Sequence, residues 1–173
     1  MFTCGRKWVK VERRWSNRLS GIKGQVEHRF LGRYIHSLDS KGRLTIPSRY
    51  RELLSEGAYI IQGFDRNLLV MTPDSFQSIS QRVNEKSITD SNARLLRRLI
   101  FSNGEQVEVD KSGRILIPQF LREVVGLESE AVLVGVGDYF EIWSPALWAD
   151  QNTRLLDAEA NEQRFSVFEI PTG

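Results

Sequence analysis

Leu38-Asp39-Ser40-Lys41-Gly42-Arg43-Leu44-Thr45-Ile46-Pro47-Ser48-Arg49-Tyr50-Arg51-Glu52-Leu53-Leu54 returns 71 residues later as Val109-Asp110-Lys111-Ser112-Gly113-Arg114-Ile115-Leu116-Ile117-Pro118-Gln119-Phe120-Leu121-Arg122-Glu123-Val124-Val125. Asp, Gly, Arg, Ile, Pro, Arg and Glu coincide at this constant offset, and several other positions exchange one aliphatic residue for another. The parallel runs on with a small drift. Ala58-Tyr59-Ile60-Ile61 and the stretch Leu69 to Phe76 match Ala131-Val132-Leu133-Val134 and the stretch Glu141 to Trp148. The chain is therefore a duplication. Two copies are too few for a solenoid, which needs three or more. The expected outcome is a pseudo-twofold pair in which each half completes the other's core.

Each copy has a legible local plan. Tyr34 to Leu38 and Gln106 to Val109 read as short strands. Asp-x-x-Gly puts Asp first and Gly fourth in a type I turn, with Gly free to take positive φ. The chain returns as Arg43 to Ile46 and Arg114 to Ile117, where period-2 side chains send Leu44 and Ile46, or Ile115 and Ile117, inward and the arginines outward. Pro47 and Pro118 suit the first position of a helix, and Tyr50/Leu53/Leu54 and Leu121/Val124/Val125 supply its apolar stripe. Gly57 and Gly126 are the expected helix stops. Strands follow at 58–63 with 68–72 and at 131–136 with 139–143, then helices at 74–85 and 146–158. The first copy adds a helix near 91–101, with Asp90 as N-cap. The fold class is α+β and β-rich. The expected division is a basic extension over 1–32, unit 1 over 33–80, a helical connector over 81–106, unit 2 over 107–150, and a C-terminal helix and tail over 151–173.

Composition bounds the chemistry. The chain has 173 residues, 40% of them apolar, enough for a core in one domain or two small ones. A single cysteine, Cys4, excludes a disulfide scaffold, and with only two histidines a Cys/His zinc site is not expected. No apolar run approaches the ~20 residues of a membrane span. The net charge of +2 hides an asymmetry. Residues 1–33 carry nine basic side chains against Glu12 and Glu27, a net +7, which leaves 15 basic and 20 acidic residues, −5, for the rest. A polyanion must then be held by a few placed cations in the body, or by the leader, where Trp8 and Trp15 add stacking surface. The leader is expected to be a disordered tail or sequence outside the working protein.

The placed cations are at the turns. Asp39 and Asp110 cap their own turns through backbone N–H groups and pair with Arg43 and Arg114. An arginine so held is aimed to fork onto a phosphate or a guanine edge. Lys41 and Lys111 add a second cation to each tip, and Gly42 and Gly113 complete the turns. A rival reading takes the two aspartates as an aspartic-protease pair sharing one proton. The arginine four residues on holds each carboxylate ionised, which is the opposite of what that chemistry needs. No catalytic constellation surrounds His28 or His36, so no enzyme, cofactor, metal or small-molecule substrate is expected. Arg94, Arg97 and Arg98 read as a solvated helix face opposite Ala93, Leu96, Leu99 and Ile100.

With these motifs in hand, residues Phe30 to Phe165 resemble the MraZ family of bacterial transcriptional regulators, built from two SpoVT-AbrB-type units with an Asp-x-x-x-Arg motif each. Here the motifs are Asp39 to Arg43 and Asp110 to Arg114. The resemblance implies a pseudo-twofold swapped-hairpin β-barrel with peripheral helices, assembled into ring-like homo-oligomers. It implies binding to short direct repeats of double-stranded DNA in the promoter of the division and cell-wall gene cluster, usually as a repressor, in the cytoplasm on the nucleoid. Arg29 stands where that family begins with Met, so residues 1–29 are expected to be a lineage-specific tail or an overextended reading frame. The alternative to a DNA regulator is an antitoxin-like protein-interaction or assembly module with incidental DNA affinity.

Overall fold

A computed structural model describes residues 29–168. The expectations for Cys4, Trp8, Trp15, His28 and the rest of residues 1–28 lie outside the described residues. In chain order the elements are β1 (Arg33–Ser37), β2 (Arg43–Thr45), α1 (Ser48–Leu53), β3 (Ala58–Gln62), β4 (Leu68–Met71), α2 (Pro73–Asn84), α3 (Ser91–Ser102), β5 (Glu105–Val107), β6 (Arg114–Leu116), α4 (Gln119–Val125), β7 (Glu130–Gly135), β8 (Tyr139–Trp143), α5 (Pro145–Leu155) and α6 (Ala158–Phe165). The fold is mixed α+β, with antiparallel sheet pairing throughout these elements.

The sheets show how the copies interlock. A six-stranded sheet runs β1-β7-β8-β4-β3-β5, and β2 pairs with β6 in a separate two-stranded ribbon. Each half's first strand therefore lies on the other half's sheet: β1 on β7 with Tyr34 opposite Leu133, and β5 on β3 with Tyr59 opposite Gln106. The ribbon sets Leu44 opposite Ile115, and both side chains are fully buried with Ile46 and Ile117. Neither half closes this core alone, because the four residues come from both. Leu54, Ile60, Val70, Leu121, Leu133 and Ile142 fill out the same cluster. A smaller core of Ile61, Leu69, Met71 and Ile100 lies beneath α2 and α3.

Several local expectations shift. Pro47 and Pro118 sit just before their helices rather than as the first helical residue, with extended ψ of 138° and 144°. Proline's fixed φ suits both conformations, and no N–H is needed there. Gly126 ends α4 in the left-handed region at φ 66°. Gly57 does not end α1; that helix stops at Leu53, and an added turn reaches Gly57 at φ 93°. Both helix-to-strand connections are four residues long, 54–57 and 126–129. Val124 is exposed, although Leu121 and Val125 are buried as the stripe requires. The single helix expected over 146–158 is two, because the Asp157 carboxylate accepts from Ala160 N at 3.1 Å and caps a new helix. Thr72 and Asp90 cap α2 and α3. The expected limits at 80/81, 106/107 and 150/151 fall inside α2, β5 and α5.

Phe30 to Gly32, counted with the extension, are built into the fold. Phe30 is 2% exposed, exchanges backbone hydrogen bonds with Gly137 at 2.8 and 3.0 Å, and meets the Tyr50 ring edge-on at 5.1 Å. The Tyr50 hydroxyl donates to the carbonyls of Leu31 (3.1 Å) and Gly32 (3.2 Å). Burial pushes the Tyr50 phenol up to about 12, so it remains a donor.

Candidate nucleic-acid interface

The two Asp-x-x-Gly-Arg segments form matching turns at the ends of the β2–β6 ribbon. Gly42 N donates to Asp39 O at 2.8 Å and Gly113 N to Asp110 O at 2.8 Å, closing each turn. Both glycines take positive φ, 79° and 75°, a region that costs a residue with a Cβ. The Asp39 carboxylate accepts from the backbone of Lys41 and Arg43, both at 3.0 Å. Asp110 does the same from Ser112 at 2.8 Å and Arg114 at 3.0 Å. Lys41 and Lys111 stand exposed on the tips.

The arginines leave the ribbon on the face opposite Leu44 and Ile115, and the ribbon register brings them together. Thr45 lies opposite Arg114, and Arg43 opposite Leu116. Arg43 Nε donates to Asp39 Oδ2 at 2.7 Å. Arg114 grips Asp110 Oδ2 with Nε and Nη2 at 3.0 and 2.8 Å, and its Nη1 reaches Asp39 Oδ2 at 3.5 Å. One carboxylate oxygen thus meets guanidinium groups from both halves. The side chains are partly exposed, 34% for Arg43 and 26% for Arg114. They are neither buried nor turned to opposite sides. The two motifs are one composite site.

The backbone N–H of Arg43, and then its guanidinium, hold the Asp39 carboxyl below the usual carboxylate range. The Arg114 guanidinium and the backbone N–H groups of Arg114 and Ser112 do the same for Asp110. Two lowered carboxylates, each with its own arginine, are the reverse of a pair sharing one proton. A carboxylate with depressed folded pKa stabilises the fold above its unfolded pKa and loses that contribution as pH falls through its folded value. We therefore expect the tips to keep their form through mildly acidic pH and to loosen only below the ordinary aspartate range. Carboxyl carbon NMR titration of Asp39 and Asp110 checks this; midpoints at or above the usual aspartate value would contradict it.

Other candidates have ordinary places. Arg97 donates to the carbonyls of Asn84 and Lys86 at 2.9 and 2.8 Å, and Arg94 to those of Ile88 and Thr89 at 3.0 and 2.9 Å. These two tie the α2–α3 loop to α3 instead of facing solvent idly. His36 lies on β1 beside Tyr34, and burial, then the charge of Arg51, lowers its pKa. Among the described residues no group of three or more His, Cys, Asp or Glu side chains is arranged to hold a metal ion, and no helix is long and apolar enough to cross a membrane.

Two residues at the site carried no expectation. Arg51 of α1 donates through Nε to Ile46 O at 2.6 Å and lies against Gly113 of the other half's turn. Arg122 of α4 donates to Ile117 O at 3.1 Å and lies against Gly42. Their coincidence at the 71-residue offset is the signal that marks them.

The sequence pattern of one family, described as "MraZ protein, putative antitoxin-like", matches residues 29–99 and again residues 100–168. The chain is 48% identical to the transcriptional regulator MraZ of Thermomicrobium roseum over 130 residues, covering 75% of this chain and 91% of that protein. It is 42% identical to the protein of the same name from Roseiflexus castenholzii over 142 residues, 79% of this chain and 99% of that one. With the Desulfitobacterium hafniense (strain Y51) protein of that name it shares 42% over 132 residues, 76% of this chain and 92% of the other. A twofold match over the same residues that fold as two interlocked copies shows that this chain belongs to the MraZ family.

Proposed function

We propose that this protein is a sequence-specific DNA-binding transcriptional regulator whose principal readers are Arg43 and Arg114. The observation that carries this reading is the meeting of both guanidinium groups at Asp39 Oδ2. Two forks held a few ångströms apart on a rigid ribbon suit adjacent base edges or phosphates, where an arginine–guanine pair contributes ~1–3 kcal/mol of discrimination. Asp39, Asp110, Gly42 and Gly113 fix the tips, and Lys41 and Lys111 contact phosphate. The names of the relatives support regulation of transcription.

The finer reading has four parts. The interlocked strands are a swapped-hairpin barrel, with units at 33–80 and 107–150 joined by a connector. Subunits assemble into a ring. The ring engages direct repeats in the promoter of a division and cell-wall gene cluster, its own included, and represses it. The protein works in the cytoplasm on the nucleoid. Exposed apolar side chains on and after α5 and α6, with Leu156 and Val167 both 75% exposed and Phe168 64%, support self-association. Energetics support it too. Two readers supply ~2–6 kcal/mol of discrimination, whereas nanomolar binding needs ~12 kcal/mol, a gap that several subunits on successive repeats close through effective concentration.

Gel retardation tests this with duplexes from the chain's own upstream region. A fragment with several repeats is expected to bind disproportionately more tightly than one with a single repeat; equal affinity would count against the assembly. Counterion release makes the affinity fall steeply with salt, by a log–log slope of about −0.9 per phosphate contact. Replacing Lys41 or Lys111 with Ala is expected to make that slope shallower by about one each. The same exposed apolar patch favours the second reading, a protein-interaction module. A stoichiometric protein partner with no footprint on the upstream DNA would establish that reading instead.

A further inference from the structure

Arg51 and Arg122 are partly buried, and neither forms an ion pair with another of the described residues. An arginine without a carboxylate needs another reason for its place. Each guanidinium is anchored at Nε to the carbonyl just past the ribbon strand of its own half, Ile46 O or Ile117 O. Each then lies flat against the turn glycine of the opposite half. A Cβ on Gly42 would stand 2.8 Å from Arg122 Cζ, and a Cβ on Gly113 would fall inside the Arg51 guanidinium. The strand ends beneath them are cross-bonded as well: Ile46 N donates to Gly113 O and Ile117 N to Gly42 O, both at 2.9 Å.

The path to the readers is short. Arg51 fixes Ile46 O, Ile46 N fixes Gly113 O, and Gly113 precedes Arg114. The mirrored path runs from Arg122 through Ile117 and Gly42 to Arg43. Both paths cross from one half to the other. We propose that Arg51 and Arg122 are positioning residues, each setting the pose of the opposite half's DNA-reading turn. This rests on the reading of Arg43 and Arg114 as the DNA contacts. Neither turn is then seated by its own half, so the two readers adopt their working geometry together. Sites of this kind need their groups held to within about 0.5 Å, which a planar guanidinium, hydrogen-bonded at Nε and packed against the glycine, provides and a flexible ammonium does not.

The test uses the full chain, a multi-repeat duplex from its upstream region and amide hydrogen exchange. Arg51→Ala is expected to weaken binding at least tenfold with an unchanged salt slope. Exchange at the Ile46 amide should rise at least tenfold, while β4 and β8 amides exchange as in the parent. Arg51→Lys keeps the charge but should not restore binding, and Arg51→Met, which keeps the side-chain stem without the guanidinium, should show the same defect should Arg51→Ala not fold. Rescue by Lys together with a slope shallower by about one in Arg51→Ala would make Arg51 a phosphate contact and overturn the proposal. Unchanged affinity in Arg51→Ala would overturn it as well. If the parent protein binds none of this DNA, the reading of the arginines as DNA contacts falls by itself. Ile46 exchange then decides the lock alone: a rise in Arg51→Ala supports it and no change overturns it.

Discussion

Arg43→Ala combined with Arg114→Ala is expected to abolish operator binding, a loss of roughly 30-fold to 10⁴-fold from two contacts of ~1–3 kcal/mol each. The fold should survive. Both side chains are partly exposed, on the face of the ribbon opposite Leu44 and Ile115. The two carboxylates keep their backbone donors, Lys41 N and Arg43 N for Asp39, Ser112 N and Arg114 N for Asp110. The single variants should differ. Arg43 engages Asp39 only through Nε, leaving its Nη fork for a ligand, whereas Arg114 already commits Nε, Nη1 and Nη2 within the cluster. Arg43→Ala is therefore the more damaging to affinity. Arg43→Lys should rescue little, because a point charge cannot reproduce a bidentate contact. Circular dichroism and thermal unfolding check the fold, and retardation checks affinity. Normal retardation by the double variant would remove both residues from the role of reader.

The turns were legible in the sequence because their chemistry is local. Asp39 and Gly42, or Asp110 and Gly113, lie three apart and close the turn themselves, and alternation from Arg43 to Ile46 sends the arginine out and the aliphatics in. Asp90 was legible as a cap for the same reason. The exchange of β1 and β5 was not. Tyr34 meets Leu133 about a hundred residues away, and a short strand carries no local mark of its partner. The meeting of Arg114 with Asp39 follows from the β2–β6 pairing and was equally hidden. Arg51 and Arg122 look like helix-surface cations until the duplication is weighed: an arginine that repeats together with a turn glycine invites the question of what it touches. Arg94 and Arg97 show the converse, cations at surface spacing engaged with loop carbonyls that no helical pattern encodes.

Phe30 carries the other large expectation, because it lies in the stretch that sequence alone assigned to the basic extension. Its ring is wedged among Tyr50 at 5.1 Å and Phe140 at 5.3 Å, and its backbone bonds Gly137 in both directions. A Cβ on Gly135 would come within 2.5 Å of the Phe30 backbone, so this segment crosses the sheet edge in direct contact. Phe30→Ala is expected to cost about 3–5 kcal/mol, the usual range for emptying a buried phenylalanine site. For a chain of this size that lowers the unfolding midpoint by roughly 10–15 °C. Phe30→Leu, which refills most of the volume, should cost far less. A parental midpoint in Phe30→Ala would mean that the segment does not support the core. The damage should also reach the site, since Tyr50, against which Phe30 packs, immediately precedes Arg51 on α1. Below its lowered midpoint, Phe30→Ala should bind operator more weakly than its folded fraction accounts for, whereas Phe30→Leu should track that fraction.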